Sequence, residues 1–131
     1  MDKIITELHG YLFTMQSFEK ELANDGNTLH AYLIELTQIN ARAGALMAEY
    51  KMKQRQEKVK EYQNLVASQV ANNKYFSITQ GKDFIDSKCF EVAYVFDLAE
   101  RTSRTAVHTI EAVRTILSSS KFEKQFAQYG T

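Results

Sequence analysis

The chain has 131 residues, of which 44% are hydrophobic and 24% charged, and its formal net charge at pH 7 is zero. This length suits one domain with a real core, and we expect neither a secretory leader nor a membrane span, because charged residues interrupt every apolar run. Proline is absent and only five glycines occur, so the composition predicts an all-α protein with long helices.

Two helices are predicted in the first half of the chain from apolar residues that recur every three or four positions. The first covers about residues 4–23 and ends in the Asn-Asp-Gly-Asn stretch at 24–27, since Asn and Gly tolerate the left-handed backbone of a turn. The second covers about residues 29–71, roughly 65 Å at about 1.5 Å per residue. Its apolar stripe is missing from residues 51–60 and resumes in a shifted phase at Val59, Tyr62, Val66 and Val70.

A third helix is predicted over about residues 82–117, followed by a frayed tail at 118–131. Ser77 and Gln80 fit a capping box just before it. The helix carries a seam of residues spaced by four and three, which is typical of a helix packed lengthwise on another. The seam consists of Ile85, Cys89, Val92, Phe96, Ala99, Ser103, Ala106, Ile110, Val113 and Leu117.

These elements predict a single domain over residues 1–131, built as a bundle or coiled-coil-like assembly. The second and third helices should form a long antiparallel hairpin, with the first helix packed along part of it. Residues 51–60 should then lie roughly opposite residues 90–105. Because such a hairpin extends beyond a three-helix core and its seams need partners, we expect a homo-oligomer.

Positive charge is concentrated in the middle of the chain. Residues 51–82 hold seven basic and two acidic side chains, whereas residues 1–50 hold three basic and seven acidic ones. Basic groups neutralise phosphates and aromatic rings stack on unpaired bases, so their interleaving is typical of sites for single-stranded nucleic acid. The candidate binding residues are Lys51, Lys53, Arg55, Lys58, Lys60, Lys74, Tyr75 and Lys82.

A plainer interpretation of the same residues stays open. Lysine-rich helix faces are often only solvated surface, and Tyr50 and Tyr62, which bracket the basic stretch, can belong to the core. Arg101 and Arg104 could form a second basic strip with His108 and Arg114. Asp97 precedes Arg101 by four residues and Glu100 precedes Arg104 by four, which favours ordinary surface pairing.

The sequence contains no recognisable signature of catalysis or of a metal or cofactor site. The three histidines are far apart, and neither a paired-cysteine motif nor a glycine-rich phosphate loop occurs. We therefore expect no enzyme activity and no cofactor. The single cysteine, Cys89, lies on the seam, which predicts a buried free thiol in a reducing, cytoplasmic setting.

Three segments in a fixed order carry a resemblance to a known family. A lysine-rich helix ends in tyrosine (KMKQRQEKVKEYQNLV), a polar connector holds a Ser/Thr-Lys-Asp stretch (SITQGKDFID), and an amphipathic helix follows (FEVAYVFDLAERTSRTAVHTIEAVRTIL). Over about residues 41–117 this layout resembles the small phage recombination mediator proteins of the UvsY type. The positions that match the family's basic helix are Lys51, Lys53, Arg55, Lys58 and Lys60.

The resemblance implies an oligomeric, non-enzymatic protein of a bacterial host's cytoplasm that binds single-stranded DNA. Such a protein helps to load a strand-exchange recombinase against a single-strand-binding protein. The alternative is a helical protein–protein interaction module (an adaptor, an inhibitor or a virion component) that uses its seams to bind another protein and binds no nucleic acid.

Overall fold

The computed structural model describes the backbone of residues 1–18 and 26–129, and the side chains of residues 1–17 and 26–119. This part of the chain forms four helices: α1 (Asp2–Phe18), α2 (Gly26–Asn72), α3 (Ile78–Lys88) and α4 (Phe90–Tyr129). The described ranges contain no strand, which confirms the predicted all-α class. No helix among them is both long and apolar enough to cross a membrane. The predicted end of the first helix, at residues 19–23, and the first half of the turn lie outside the described residues.

The long antiparallel hairpin is formed by α2 with α3 and α4. The Ser103 hydroxyl donates a hydrogen bond to Asn40 Oδ1 at 2.8 Å, and Lys58 Nζ lies 3.8 Å from Asp86 Oδ1. Residues farther along α2 thus face residues earlier in α3 and α4, which together form the second arm of the hairpin. All ten predicted seam residues are buried or half-buried. Residues 51–60, however, lie opposite the junction of α3 and α4, nearer the turn than the predicted 90–105.

A three-helix core occupies the half of the hairpin that α1 covers. Leu8, Leu12 and Met15 of α1 are buried there with the core residues of α2 and α4. Glu7 accepts two hydrogen bonds from the Arg42 guanidinium, at 2.8 and 3.2 Å, and they tie α1 to α2. The apolar positions spaced by three and four residues predict most of the buried side chains of α1 and α2. They leave out Leu12, Tyr32 and Leu46, which are also buried.

The distal half of the hairpin, residues 51–88, has little core of its own. In this range, which the structure describes completely, Leu65 is the buried residue of α2 and Gly81 that of α3. The resumed stripe predicted at Val59, Tyr62, Val66 and Val70 is wrong as a core, since these side chains are 40–67% exposed. They lie outside the face of α2 that packs on the second arm.

The hairpin turn is defined by caps at both helix ends. Asn73 has a φ of 51°, and the amide of Lys74 donates to the carbonyl of Gln69 at 3.3 Å, the 6→1 bond of a Schellman motif. Ser77 and Gln80 form the predicted capping box, with both bonds at 3.2 Å. The chain therefore stops one helix and starts the next within five residues.

The predicted third helix is two helices in the structure. The first of the two, α3, begins at Ile78 because Ser77 caps the helix before Gly81 is reached. This helix ends at Lys88. At Cys89 the amide is shared between the carbonyls of Ile85 and Asp86, at 3.1 and 3.3 Å, which mixes α and 3₁₀ geometry and interrupts the ladder. Beyond residue 117, where a frayed tail was predicted, the backbone of α4 stays helical to Tyr129.

Candidate nucleic-acid interface

The basic residues of the stretch 51–60 lie in two strips along α2. At about 100° per residue, Lys51, Arg55 and Lys58 share one strip, whereas Lys53 and Lys60 share the other. All five side chains are exposed. Between the strips lies the face of α2 that packs on the second arm. A polyanion can therefore contact either strip without displacing packed residues.

Two of these cations already have acidic neighbours. Lys53 Nζ lies 3.1 Å from Glu49 Oε1 and 4.6 Å from the centroid of the Tyr50 ring, and the hydrogen bond to Glu49 raises the pKa of Lys53. Lys58 faces Asp86 at 3.8 Å, with both side chains about half exposed. Exposed pairs of this kind are weak and screened by salt, so a phosphate group can replace the carboxylate.

The remaining predicted cations are open to solvent. Within the described part of the chain, Lys51, Arg55, Lys60, Lys74 and Lys82 make no ion pair. Lys74 lies in the connector and Lys82 on the first turns of α3. The positive charge thus extends from the middle of α2 to the turn of the hairpin, a distance of roughly 30 Å along the helix.

The aromatic residues near the basic strips divide into core and surface. Tyr50 is only 2% exposed and belongs to the core, so it has no face free for stacking on a base. Tyr62 and Tyr75 are 59% and 69% exposed, contrary to the option that both bracketing tyrosines are buried. Of these three tyrosines, Tyr62 on α2 and Tyr75 in the connector have rings that are available to unpaired bases.

An apolar groove lies between the distal part of α2 and α3. Its volume is about 810 Å³, and Lys58, Tyr62 and Lys82 are among its lining residues. Its apolar lining residues are Val59, Leu65, Val66, Phe76, Ile78 and Ile85. The structure therefore brings together three of the residues singled out in the sequence, and it leaves Lys51 and Lys53 nearer the three-helix core. The groove could not be predicted from the sequence, because the spacing of Val59 and Val66 is that of a core stripe.

The other candidate groups have structural roles. Arg104 pairs with Glu100 at 2.7 Å, as expected for ordinary surface pairing. Among the described residues Asp97 and Arg101 do not form the ion pair that their spacing predicts. Cys89 is 1% exposed, and burial, together with the carboxylates of Glu57 and Glu61, raises the pKa of its thiol. The prediction of a buried free thiol is confirmed. Within the described ranges, no group of three or more His, Cys, Asp or Glu side chains is arranged to hold a metal ion.

No protein-family model matches this chain, and neither a curated protein nor a solved structure is significantly similar to it. Function must therefore be inferred from the geometry and charge of the distal half.

Proposed function

We propose that this protein binds single-stranded DNA along the distal half of α2 and acts, without enzyme activity, as a recombination mediator. The main support is the exposure of all seven basic side chains in residues 51–82, against two acidic ones in the same range. Charge of one sign at this density along a helix attracts a phosphate backbone and releases its counterions.

The arrangement suits a strand that must be held and then handed on. Lys51, Arg55 and Lys58 contact phosphates along one side of an open helix, and Tyr62 and Tyr75 offer faces on which bases stack, at about 1–3 kcal/mol each. The basic side chains of the described distal half lie on an open surface, so a bound DNA strand would not be enclosed by protein. In the proposed role, a homo-oligomer presents the strand to a strand-exchange recombinase as the single-strand-binding protein leaves.

DNA binding is tested by the fluorescence anisotropy of a labelled oligo-dT over a series of salt concentrations. The logarithm of the affinity should fall linearly with the logarithm of salt, with a slope of about −0.7 for each phosphate neutralised. The triple variant K51A/R55A/K58A should flatten this slope by about 2. A matched control, K3A/R101A/R114A, removes three exposed cations elsewhere and should leave the slope within error.

Absence of binding at low salt would exclude the DNA-binding proposal. An equal loss in the control variant would mean that the distal strip is only part of a general charge effect. Mediator action is tested separately, by the DNA-dependent ATPase of a strand-exchange recombinase on oligo-dT coated with a single-strand-binding protein. The wild type should relieve the inhibition by the coat, and the triple variant should not.

A second candidate function, a helical protein–protein interaction module, is favoured by the apolar surface around the turn. Ile78 is 94% exposed, Val59 57% and Phe76 50%, and all three line the groove between α2 and α3. Clustered apolar exposure commonly marks a protein contact. The anisotropy series separates the two functions, because a module of this kind gives no salt-dependent signal with oligo-dT.

A further inference from the structure

A second apolar face runs along α2 on the side opposite its core. From Ile34 to Val70 an uncharged side chain recurs every three or four residues, at eleven positions. At about 100° per residue these positions stay within a strip about 80° wide over about ten turns. The core face, marked by Leu36, Leu46 and Leu65, lies about 180° around the helix. We call the strip the outer face.

The outer face is open along its length. Its large apolar side chains are strongly exposed: Ile34 63%, Met52 62%, Val59 57%, Val66 40% and Val70 67%. Alanine and glutamine fill the positions between them, and charged residues lie on both sides but not within the strip. One exposed valine requires no explanation, but a continuous strip with helical period is typical of a helix that packs against another helix.

The two halves of the outer face differ in the size of their side chains. Ala41, Ala45 and Ala48 make the half near the N-terminus of α2 shallow, so that another helix can approach closely. In the other half the side chains of Met52 and Val59 are larger and project farther from the helix than alanine does. A partner helix with the same side chains in reversed order would place large residues against small ones.

The charges beside the outer face are also reversed between its halves. Glu35 and Glu49 flank the shallow half, where the Arg42 guanidinium is already bound to Glu7. Lysines and arginine flank the other half, from Lys51 onward. In antiparallel packing each flank meets the same flank of the other copy, so the flank that carries Glu35 and Glu49 lies beside the residues Lys53 and Lys60 of the partner. The chain carries no net charge, so no long-range repulsion opposes the approach of two copies.

We propose that a second copy of this chain covers the outer face, with its α2 packed antiparallel. A two-fold axis near Met52 places Ala45 of each copy against Val59 of the other. On one flank of the outer face it also brings Glu49 of each copy beside Lys53 of the other. Such an isologous contact is the commonest way in which a protein forms a dimer. The pairing follows from α2 alone and stands whether or not the protein binds DNA.

The interface is tested by sedimentation velocity over a concentration series, with circular dichroism to confirm that each variant is folded. The substitutions Val59→Glu and Ala45→Glu should each raise the dissociation constant at least tenfold. Matched controls at exposed positions elsewhere, Phe13→Glu on α1 and Ala112→Glu on α4, should change it less than twofold. A wild type that stays monomeric at its highest soluble concentration would overturn the proposal. So would variants that associate as the wild type does.

The orientation is tested by disulfide cross-linking under mild oxidation, which does not rely on a destabilising charge. The double variant A45C/V59C should form covalent dimers, because the paired residues face each other across the axis. Ala45→Cys alone should not, because antiparallel packing separates its two copies by roughly 21 Å, whereas a disulfide needs Cα atoms about 4.4–6.8 Å apart. The wild type, with Cys89 buried, is the control. Cross-linking by Ala45→Cys alone would show a parallel pair and overturn the antiparallel arrangement.

Discussion

Leu46 and Leu65 are buried leucines on the same helix, yet their truncation to alanine should have different costs. Leu46 is 0% exposed and belongs to the core that α1, α2 and α4 share. Leu65 is 7% exposed and lines the groove in the distal half. The comparison therefore measures whether the stability of the hairpin is concentrated where α1 covers it.

The expected magnitudes follow from the surroundings of each side chain. At Leu46 the substitution leaves a closed cavity, so the lost transfer free energy and the cavity term add to about 3–4 kcal/mol of unfolding free energy. At Leu65 the neighbouring groove is open to water, and no closed cavity forms. The cost there should stay near the transfer term alone, about 2 kcal/mol or less.

Urea denaturation followed by circular dichroism gives the two free energies, and amide hydrogen exchange shows where each loss is felt. Leu46→Ala should lower protection throughout α2 and α4. Leu65→Ala should speed exchange mainly within residues 51–88, by local opening. Equal losses for the two variants, or a loss below about 1 kcal/mol for Leu46→Ala, would refute the reasoning.

Three further predictions concern single side chains. Gly44→Ala should stabilise the protein by up to about 1 kcal/mol through helix propensity, since an added Cβ meets nothing within 4 Å; a lower melting temperature would contradict it. The hydrogen bond from Arg42 lowers the pKa of Glu7, so the ion pair stabilises the fold above the ordinary carboxyl range and is lost as the pH falls through the lowered folded value. Glu7→Gln should therefore lower the free energy of unfolding by up to about 1 kcal/mol at pH 7, after a discount for solvent screening, and by almost nothing in strong acid. Urea denaturation of both proteins at the two pH values measures this. The same difference at both would count against a stabilising ion pair. Burial raises the pKa of Cys89, so its thiol should react with an aromatic disulfide at least a hundredfold more slowly in the folded protein than in urea; a fast, complete reaction in the native state would show that the thiol is accessible.

The sequence was sufficient for the architecture because helical period and packing are local and repetitive. The seam from Ile85 to Leu117 kept its spacing through the core, and each of its positions is at least half-buried. The break at Cys89 could not be predicted, because the seam continues across it and no glycine or proline marks it. The start of α3 was predicted too late, near residue 82, because the Ser77 cap outweighs the low helix propensity of Gly81.

The candidate site was harder to predict because exposure depends on which elements are near. Val59, Tyr62 and Val66 have the spacing of a core stripe, and spacing alone does not show that α1 ends before it reaches them. The basic residues could be located from charge alone, but their ion pairs could not. Lys58 meets Asp86 only because the hairpin brings the two arms together.

The turn at Asn73 to Ser77 has a consequence for the order of folding. It closes a short loop of chain, yet the residues beside it bury little apolar surface. Contacts in the shared core connect residues as distant as Asn40 and Ser103, which are 63 positions apart in the chain. The chain must therefore lose the conformational entropy of closing a long loop before the burial of apolar side chains compensates for it. This protein should fold more slowly than a helical hairpin whose two arms pair progressively from the turn. In stopped-flow kinetics Leu46→Ala should slow folding and Ser77→Ala should mainly speed unfolding; the reverse pattern would place the nucleus at the turn.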